Sequence, residues 1–99
     1  SRVIQQRVRK ARAAQQKRFT NTRITTNSEM SPRDLTTFCA LSPPVRATLM
    51  SAAKKFNLSA RAYHRVIKIA RTIADLEGSE HLGENHILEA VQYRPKTRS

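Results

Sequence analysis

Ser59-Ala60-Arg61-Ala62-Tyr63-His64-Arg65-Val66-Ile67-Lys68-Ile69-Ala70-Arg71-Thr72-Ile73-Ala74-Asp75-Leu76-Glu77-Gly78 is the stretch that decides the fold. It opens on Ser59, a residue type whose side-chain oxygen satisfies the free N–H groups of a helix's first turn. It closes on Gly78, which enters the left-handed backbone region without steric cost and so ends a helix. At 100° per residue, Ala62, Tyr63, Val66, Ile67, Ile69, Ala70, Ile73, Ala74 and Leu76 fill more than half of the circumference between those ends. A helix apolar over so wide an arc packs against several neighbours, which makes this the central helix of a bundle. The remaining arc carries Arg61, His64, Arg65, Lys68, Arg71, Thr72 and Asp75.

On either side of that helix the chain is punctuated by further helix signals. Ser31-Pro32-Arg33-Asp34 combines a capping serine with proline at the first helical position, and the short helix it opens should end near Cys39. Ser42-Pro43-Pro44 repeats the device and launches a helix through Val45, Leu49, Met50 and Ala53 to about Phe56, with Asn57 as a left-handed stop. Ile87, Leu88, Ala90 and Val91 mark a last helix from about Glu84 to Arg94, which Pro95 terminates ahead of a tail, 96–99. Residues 1–23 form a basic helix whose docking stripe is Ile4, Val8, Ala11, Gln15 and Phe19, and Thr20–Ser28 is a polar connector. No segment alternates as a strand would. The fold class is therefore all-α, a small bundle of four to five helices with a basic N-terminal helix.

Composition agrees with one domain over residues 1–99. The chain is 38% apolar with 2 Gly, 4 Pro and no Trp, so a single core of Ile, Leu, Val, Ala and Met is all it can build. The single cysteine, Cys39, lies between Phe38 and Ala40 and reads as a small buried hydrophobe, with no disulfide to form. His64, His81 and His86 do not show zinc spacing with it, so no metal site is expected. Ser59 is a cap and not a nucleophile, because no His–Asp arrangement accompanies it. No run is long enough to span a membrane and no signal peptide is visible, which points to a cytoplasmic location.

Charge is the most unusual property: 19 Lys and Arg against 7 Asp and Glu, a net +12. Residues 1–23 hold Arg2, Arg7, Arg9, Lys10, Arg12, Lys17, Arg18 and Arg23 with no acid, which is +8 of the total and leaves +4 for the rest. Such a balance favours anionic partners. Within the central helix the order of charge runs against the macrodipole. Arg61 and Arg65 occupy the positive N-terminal turns and Asp75 and Glu77 the negative C-terminal one, each at a cost of about 0.3–1 kcal/mol. An anion at the helix N-terminus would resolve the first pair, since backbone N–H groups and two guanidinium forks converge there. Alternatively, acids on a neighbouring helix could satisfy them.

Leu58-Ser59-Ala60-Arg61-Ala62-Tyr63-His64-Arg65, running into Ala70-Arg71-Thr72-Ile73-Ala74-Asp75-Leu76-Glu77-Gly78, resembles the C-terminal domain signature of magnesium-chelatase-like AAA+ ATPases, closest to their bacterial competence-associated type. Glu89-Ala90-Val91-Gln92-Tyr93-Arg94 resembles the closing helix of that domain. Arg7-Val8, Ala11-Arg12 and Gln15-Gln16 resemble the segment joining ATPase core to lid. The resemblance implies an AAA+ lid: residues 1–23 as connecting helix, 24–94 as lid bundle, 95–99 as tail. It also implies that Arg61, in Ser59-Ala60-Arg61, is the sensor-2 arginine that contacts the γ-phosphate of ATP, with Arg65 a weaker candidate for the same face or for a subunit contact. ATP and its Mg²⁺ would be held by an AAA+ core upstream of Ser1, in a hexamer whose neighbouring subunits are further partners. No GxxxxGK[ST] loop and no acidic Mg²⁺-binding strand motif occur here, so this chain alone is not expected to be an enzyme.

Two classes of function follow. In the first, the chain is the lid of an ATPase, either a DNA-processing motor or a true metal-chelatase subunit. In the second, it is a free-standing DNA-binding module. There Arg7, Arg9, Lys10, Arg12, Lys17 and Arg18 contact nucleic acid or another partner, and Ser31–Phe56 forms a helix-turn-helix. The double proline opening the would-be recognition helix and the absence of Gly from the Ala40–Pro44 turn weigh against the second class.

Overall fold

The computed structural model describes residues 2–93. Five α-helices and one 3₁₀ turn follow in chain order: α1 Arg2–Arg18, the turn Asn27–Glu29, α2 Pro32–Phe38, α3 Pro43–Lys55, α4 Ala60–Glu77 and α5 Glu84–Val91. The all-α bundle expected from the sequence is the one observed. α4 is its axis, packed on α1, α2, α5 and the 3₁₀ turn, while α3 packs on α5. One continuous core collects Phe19, Leu35, Val45, Leu49, Val66, Ala70, Ala74, Ile87, Ala90 and their neighbours from every helix after α1 and from the residue that follows α1.

The ends of α4 are built as its sequence demands. The Ser59 hydroxyl accepts from the Ala62 N–H at 3.1 Å. Gly78 sits at φ +76°, and the Ser79 and Gly78 N–H groups return to the Ala74 and Asp75 carbonyls at 2.8 and 3.0 Å. Those two bonds close a Schellman motif, which only a residue tolerant of the left-handed region allows at low cost. Ser31 and Asp34 form a reciprocal capping box at the start of α2. Ser42 occupies the cap position of α3, but its side chain makes no capping bond, so Pro43 and Pro44 set that start. Asn57 adopts φ +50°, the left-handed stop after α3.

The sequence-derived boundaries need three corrections. α1 stops at Arg18 and not near Arg23: Asn21 turns left-handed at φ +67°, and the Thr20 hydroxyl bonds back to the Gln16 and Lys17 carbonyls. α5 ends at Val91, short of the expected Arg94, which lies with Pro95 and the expected tail outside the described residues. Ser31–Phe56 is not a helix-turn-helix unit, because α2 packs chiefly on α4 and α3 on α5. The stripe along α1 is also shorter than its periodicity suggests. Ala11 and Phe19 are buried, Val8 and Gln15 are half-buried, and Ile4 is 62% exposed.

Two residues assigned to the polar arc of α4 are interior. Arg71 and Asp75 are 4% and 2% exposed. The Asp75 carboxylate receives both terminal nitrogens of Arg18 (2.7 and 3.0 Å), Nδ2 of Asn27 (2.9 Å) and Nε of Arg71 (3.2 Å). Arg71 spends its remaining donors on the Ser79 and Glu80 carbonyls, and Arg18 also donates to Oδ1 of Asn27. Asn27, placed by sequence in a polar connector, is thus a buried hub; its backbone N–H donates to Gln15 and its amide to Thr72. Glu77, the other acid of the last turn, accepts from Nε2 of His86, whose Nδ1 accepts the Gly83 N–H. Both acids at the negative end of α4 therefore have internal partners.

Cys39 is buried, with its thiol against the Met30 sulfur, and burial pushes its ionisation up. It is expected to resist alkylation until the chain unfolds, so thiol labelling across a urea titration should track the far-UV unfolding curve. Asp75→Ala strands two arginines in the interior and should cost about 3–5 kcal/mol, read from the same titration.

Candidate functional site

The first three turns of α4 form one wall of an open groove of about 700 Å³. Arg61, His64, Arg65 and Lys68 line it at i, i+3, i+4 and i+7, the spacing that brings side chains to one face of a helix. The opposite wall is the segment Ser28–Pro32, and Met30, Ile69 and Ile73 contribute apolar surface. The Lys68 ammonium donates to the Ser28 carbonyl at 3.2 Å and ties the two walls together. Asn27, anchored on Asp75 and Thr72, holds that loop segment in place from behind.

No carboxylate lines the groove. Glu29, the nearest acid in sequence, bonds instead to the Thr25 and Thr26 hydroxyls, and the Thr25 bond holds its carboxyl below the usual range. Arg61 and Arg65 are exposed and enter no ion pair among the described residues. The neighbouring-helix acids that could have matched them are thus not there. Of the charges that oppose the α4 macrodipole, Asp75 is ion-paired in the interior, Glu77 is hydrogen-bonded to His86, and the two arginines face an open groove. With backbone N–H groups at the same helix end, that constellation is complementary to a phosphate group. It offers no oxygen-rich ligand set for a magnesium ion.

The cations of α1 are placed differently. Arg7, Arg9, Lys10, Arg12 and Lys17 are exposed, as is Arg2. Arg18, grouped with them on charge, turns inward to Asp75 and is spent on the fold. Lysine and arginine in an unbroken basic run look alike by composition; only a partner 57 residues away separates Arg18 from the rest. His81 is exposed and His86 buried, and His64 alone of the three lines the groove. No group of three or more His, Cys, Asp or Glu that could hold a metal occurs among the described residues, and no helix there is long and apolar enough to cross a membrane.

The model of the family described as magnesium chelatase, subunit ChlI C-terminal, matches residues 1–94. The chain belongs to that family. It is 37% identical over 95 residues to the competence protein ComM of Haemophilus influenzae, covering 96% of this chain and 18% of that protein. It is 35% identical over 94 residues to YifB, an uncharacterized protein of Escherichia coli, covering 95% of this chain and 18% of that one. The chain thus spans less than a fifth of the length of these relatives.

Arg61 gains nothing from the fold and opposes the helix dipole. Arg61→Glu is expected to raise stability by about 0.3–1 kcal/mol, measured by chemical denaturation. A loss of stability of that size or more would mean that Arg61 has a structural partner within the domain.

Proposed function

We propose that this domain is the helical lid of a magnesium-chelatase-like AAA+ ATPase and that Arg61 is its sensor-2 arginine, placed against the γ-phosphate of ATP bound by an upstream core. The observation that carries the reading is the pair of exposed, unmatched arginines on the first turns of α4, in a groove without a carboxylate. Membership in the family supports the AAA+ context.

The chemistry assigned to Arg61 is electrostatic. A guanidinium fixed on a capped helix stabilises negative charge that develops on a transferring phosphoryl group, and it registers whether that group is present. Arg65, one turn on, extends the same face toward the next phosphate or a neighbouring subunit. Lys68 is already bonded to the Ser28 carbonyl and fixes the two walls of the groove relative to each other. The groove fits phosphate and offers nothing for Mg²⁺, so the magnesium of the nucleotide belongs to ligands of the core. General acid–base chemistry is not assigned to any residue here.

The parent protein is, in this reading, a hexameric ring ATPase that acts on DNA. The net charge of +12 is compatible with such a substrate, and the likeness to the competence protein ComM points the same way. A lid of a true metal-chelatase subunit would use Arg61 identically, and the two are separated by the response to DNA. In the full-length protein, Arg61→Ala should lower ATP turnover by about 10²–10³-fold, the scale of losing one preorganised transition-state donor, and added DNA should raise the turnover of the parent. Unchanged turnover in Arg61→Ala would remove the sensor assignment. Turnover indifferent to DNA would favour the metal-chelatase class.

A further inference from the structure

We infer that His64 is a further ligand of the anion in the α4 groove and holds it as imidazolium, so that the groove takes up a proton together with its ligand. This role rests on the reading of that groove as a phosphate site and adds a proton to it.

The three histidines have three different places in the fold. His86 is buried and both its ring nitrogens are used, Nδ1 by the Gly83 N–H and Nε2 by Glu77. His81 is exposed on the loop between α4 and α5. His64 is half-buried and lines the groove, and neither of its ring nitrogens enters a hydrogen bond or ion pair among the described residues. Its ring stands edge-on to Tyr63, with centroids 5.8 Å apart and planes at 80°. Packing therefore gives the imidazole a position and no polar partner.

That position is inside the row of cations. Arg61 precedes His64 by three residues and Lys68 follows it by four, a rise of about 4.5 and 6 Å along the helix, and Arg65 is its neighbour. An anion held by these three cations lies within reach of the His64 ring. No acid competes for it. The facing wall offers Ser28, Met30 and Pro32, none of which titrates. Glu29 is bonded to Thr25 and Thr26, and Asp34 to the N–H and hydroxyl of Ser31. Arg33, beyond Pro32, is exposed and adds only charge of the same sign.

These surroundings couple the proton to the ligand. An imidazolium in the empty groove meets Arg61, Arg65 and Lys68, all of its own sign. In the filled groove it meets a dianion, to which it donates a charge-assisted hydrogen bond. The ligand thus favours the protonated ring, and by reciprocity the protonated ring favours the ligand. Arginine and lysine keep their charge at neutral pH, whereas histidine changes its own between about pH 5 and 8. The filled groove holds more protons than the empty one, so affinity rises as pH falls through that window.

The test uses sulfate, which has the tetrahedral oxygens of a phosphate and a charge that stays fixed across the window. The Hε1 resonance of His64 in this chain is followed by NMR from about pH 5.5 to about pH 8.5, with and without sulfate at constant ionic strength. Sulfate should raise the His64 titration midpoint by about one pH unit, the effect of an opposite charge within ~4–6 Å, and should move His81 and His86 little. Sulfate affinity should rise about tenfold as pH falls over the same range. His64→Gln should remove that rise and leave the affinity at the alkaline end nearly unchanged, while Arg61→Ala should weaken binding at every pH and keep the rise. An unmoved His64 midpoint in a groove that still binds sulfate through Arg61 would overturn the role of His64 and leave the phosphate site standing. A rise that persists in His64→Gln would assign the proton to another group and overturn it as well, as would failure of the chain to bind sulfate. The sensor assignment of Arg61 is judged by ATP turnover, so the two readings fail separately.

Discussion

Asp75 takes four N–H donors from Arg18, Asn27 and Arg71 on a carboxylate whose side chain is 1% exposed. A buried carboxylate left short of partners is costly, and one fully bonded by two guanidinium groups and an amide holds its neighbours in a single arrangement. The three donor residues come from different segments: the end of α1, the 3₁₀ turn, and α4 itself. Without this node the angle of α1 would rest on little apolar burial, since only Ala11 of that helix and Phe19 just after it are fully buried. The loop that walls the groove at Arg61 hangs on the same node through Asn27.

The distribution of seven acids against nineteen cations then acquires an order. Asp75 is matched inside the bundle by Arg18 and Arg71, and Glu77, at the surface, accepts a hydrogen bond from the buried His86. Asp34 caps α2, and Glu84 accepts from Thr48 at 2.6 Å to bind α3 to α5. With those acids spent on structure, Arg61, Arg65 and the cations on the outer face of α1 remain exposed and without an ion pair among the described residues. A small domain that keeps its positive charge exposed in two separate places gives up self-neutralisation, and part of the cost falls on the start of α4, where macrodipole and side-chain charge oppose each other.

Much of this organisation was legible in the residues themselves. Ser59 and Gly78 bracket α4 because capping and left-handed geometry are properties of single residues and their nearest neighbours. The all-α class followed from periodicity, and the oddity of Arg61 from its place relative to a predictable helix start. The arc of α4 was less well read. Arg71 and Asp75 looked solvent-facing on a wheel, since a wheel knows polarity but not whether a partner waits across the interface. Asn27 sat in a stretch of threonine, serine and asparagine that reads as connector, and nothing within 40 residues of it announces its bonds to Thr72 and Asp75.

The sequence by itself determined that the chain is helical, where α2 and α4 are capped, and the family, because each depends on short-range spacing or on a continuous match. Only the tertiary structure decided which charges are spent and which are free. Arg18 and Arg12 are the same residue type on the same helix, yet one is drawn into the interior and the other meets solvent. That difference arises from a carboxylate brought near by packing across 57 residues of chain, a distance over which local pattern carries no information. The same packing opened the groove beside Arg61 without placing an acid in it.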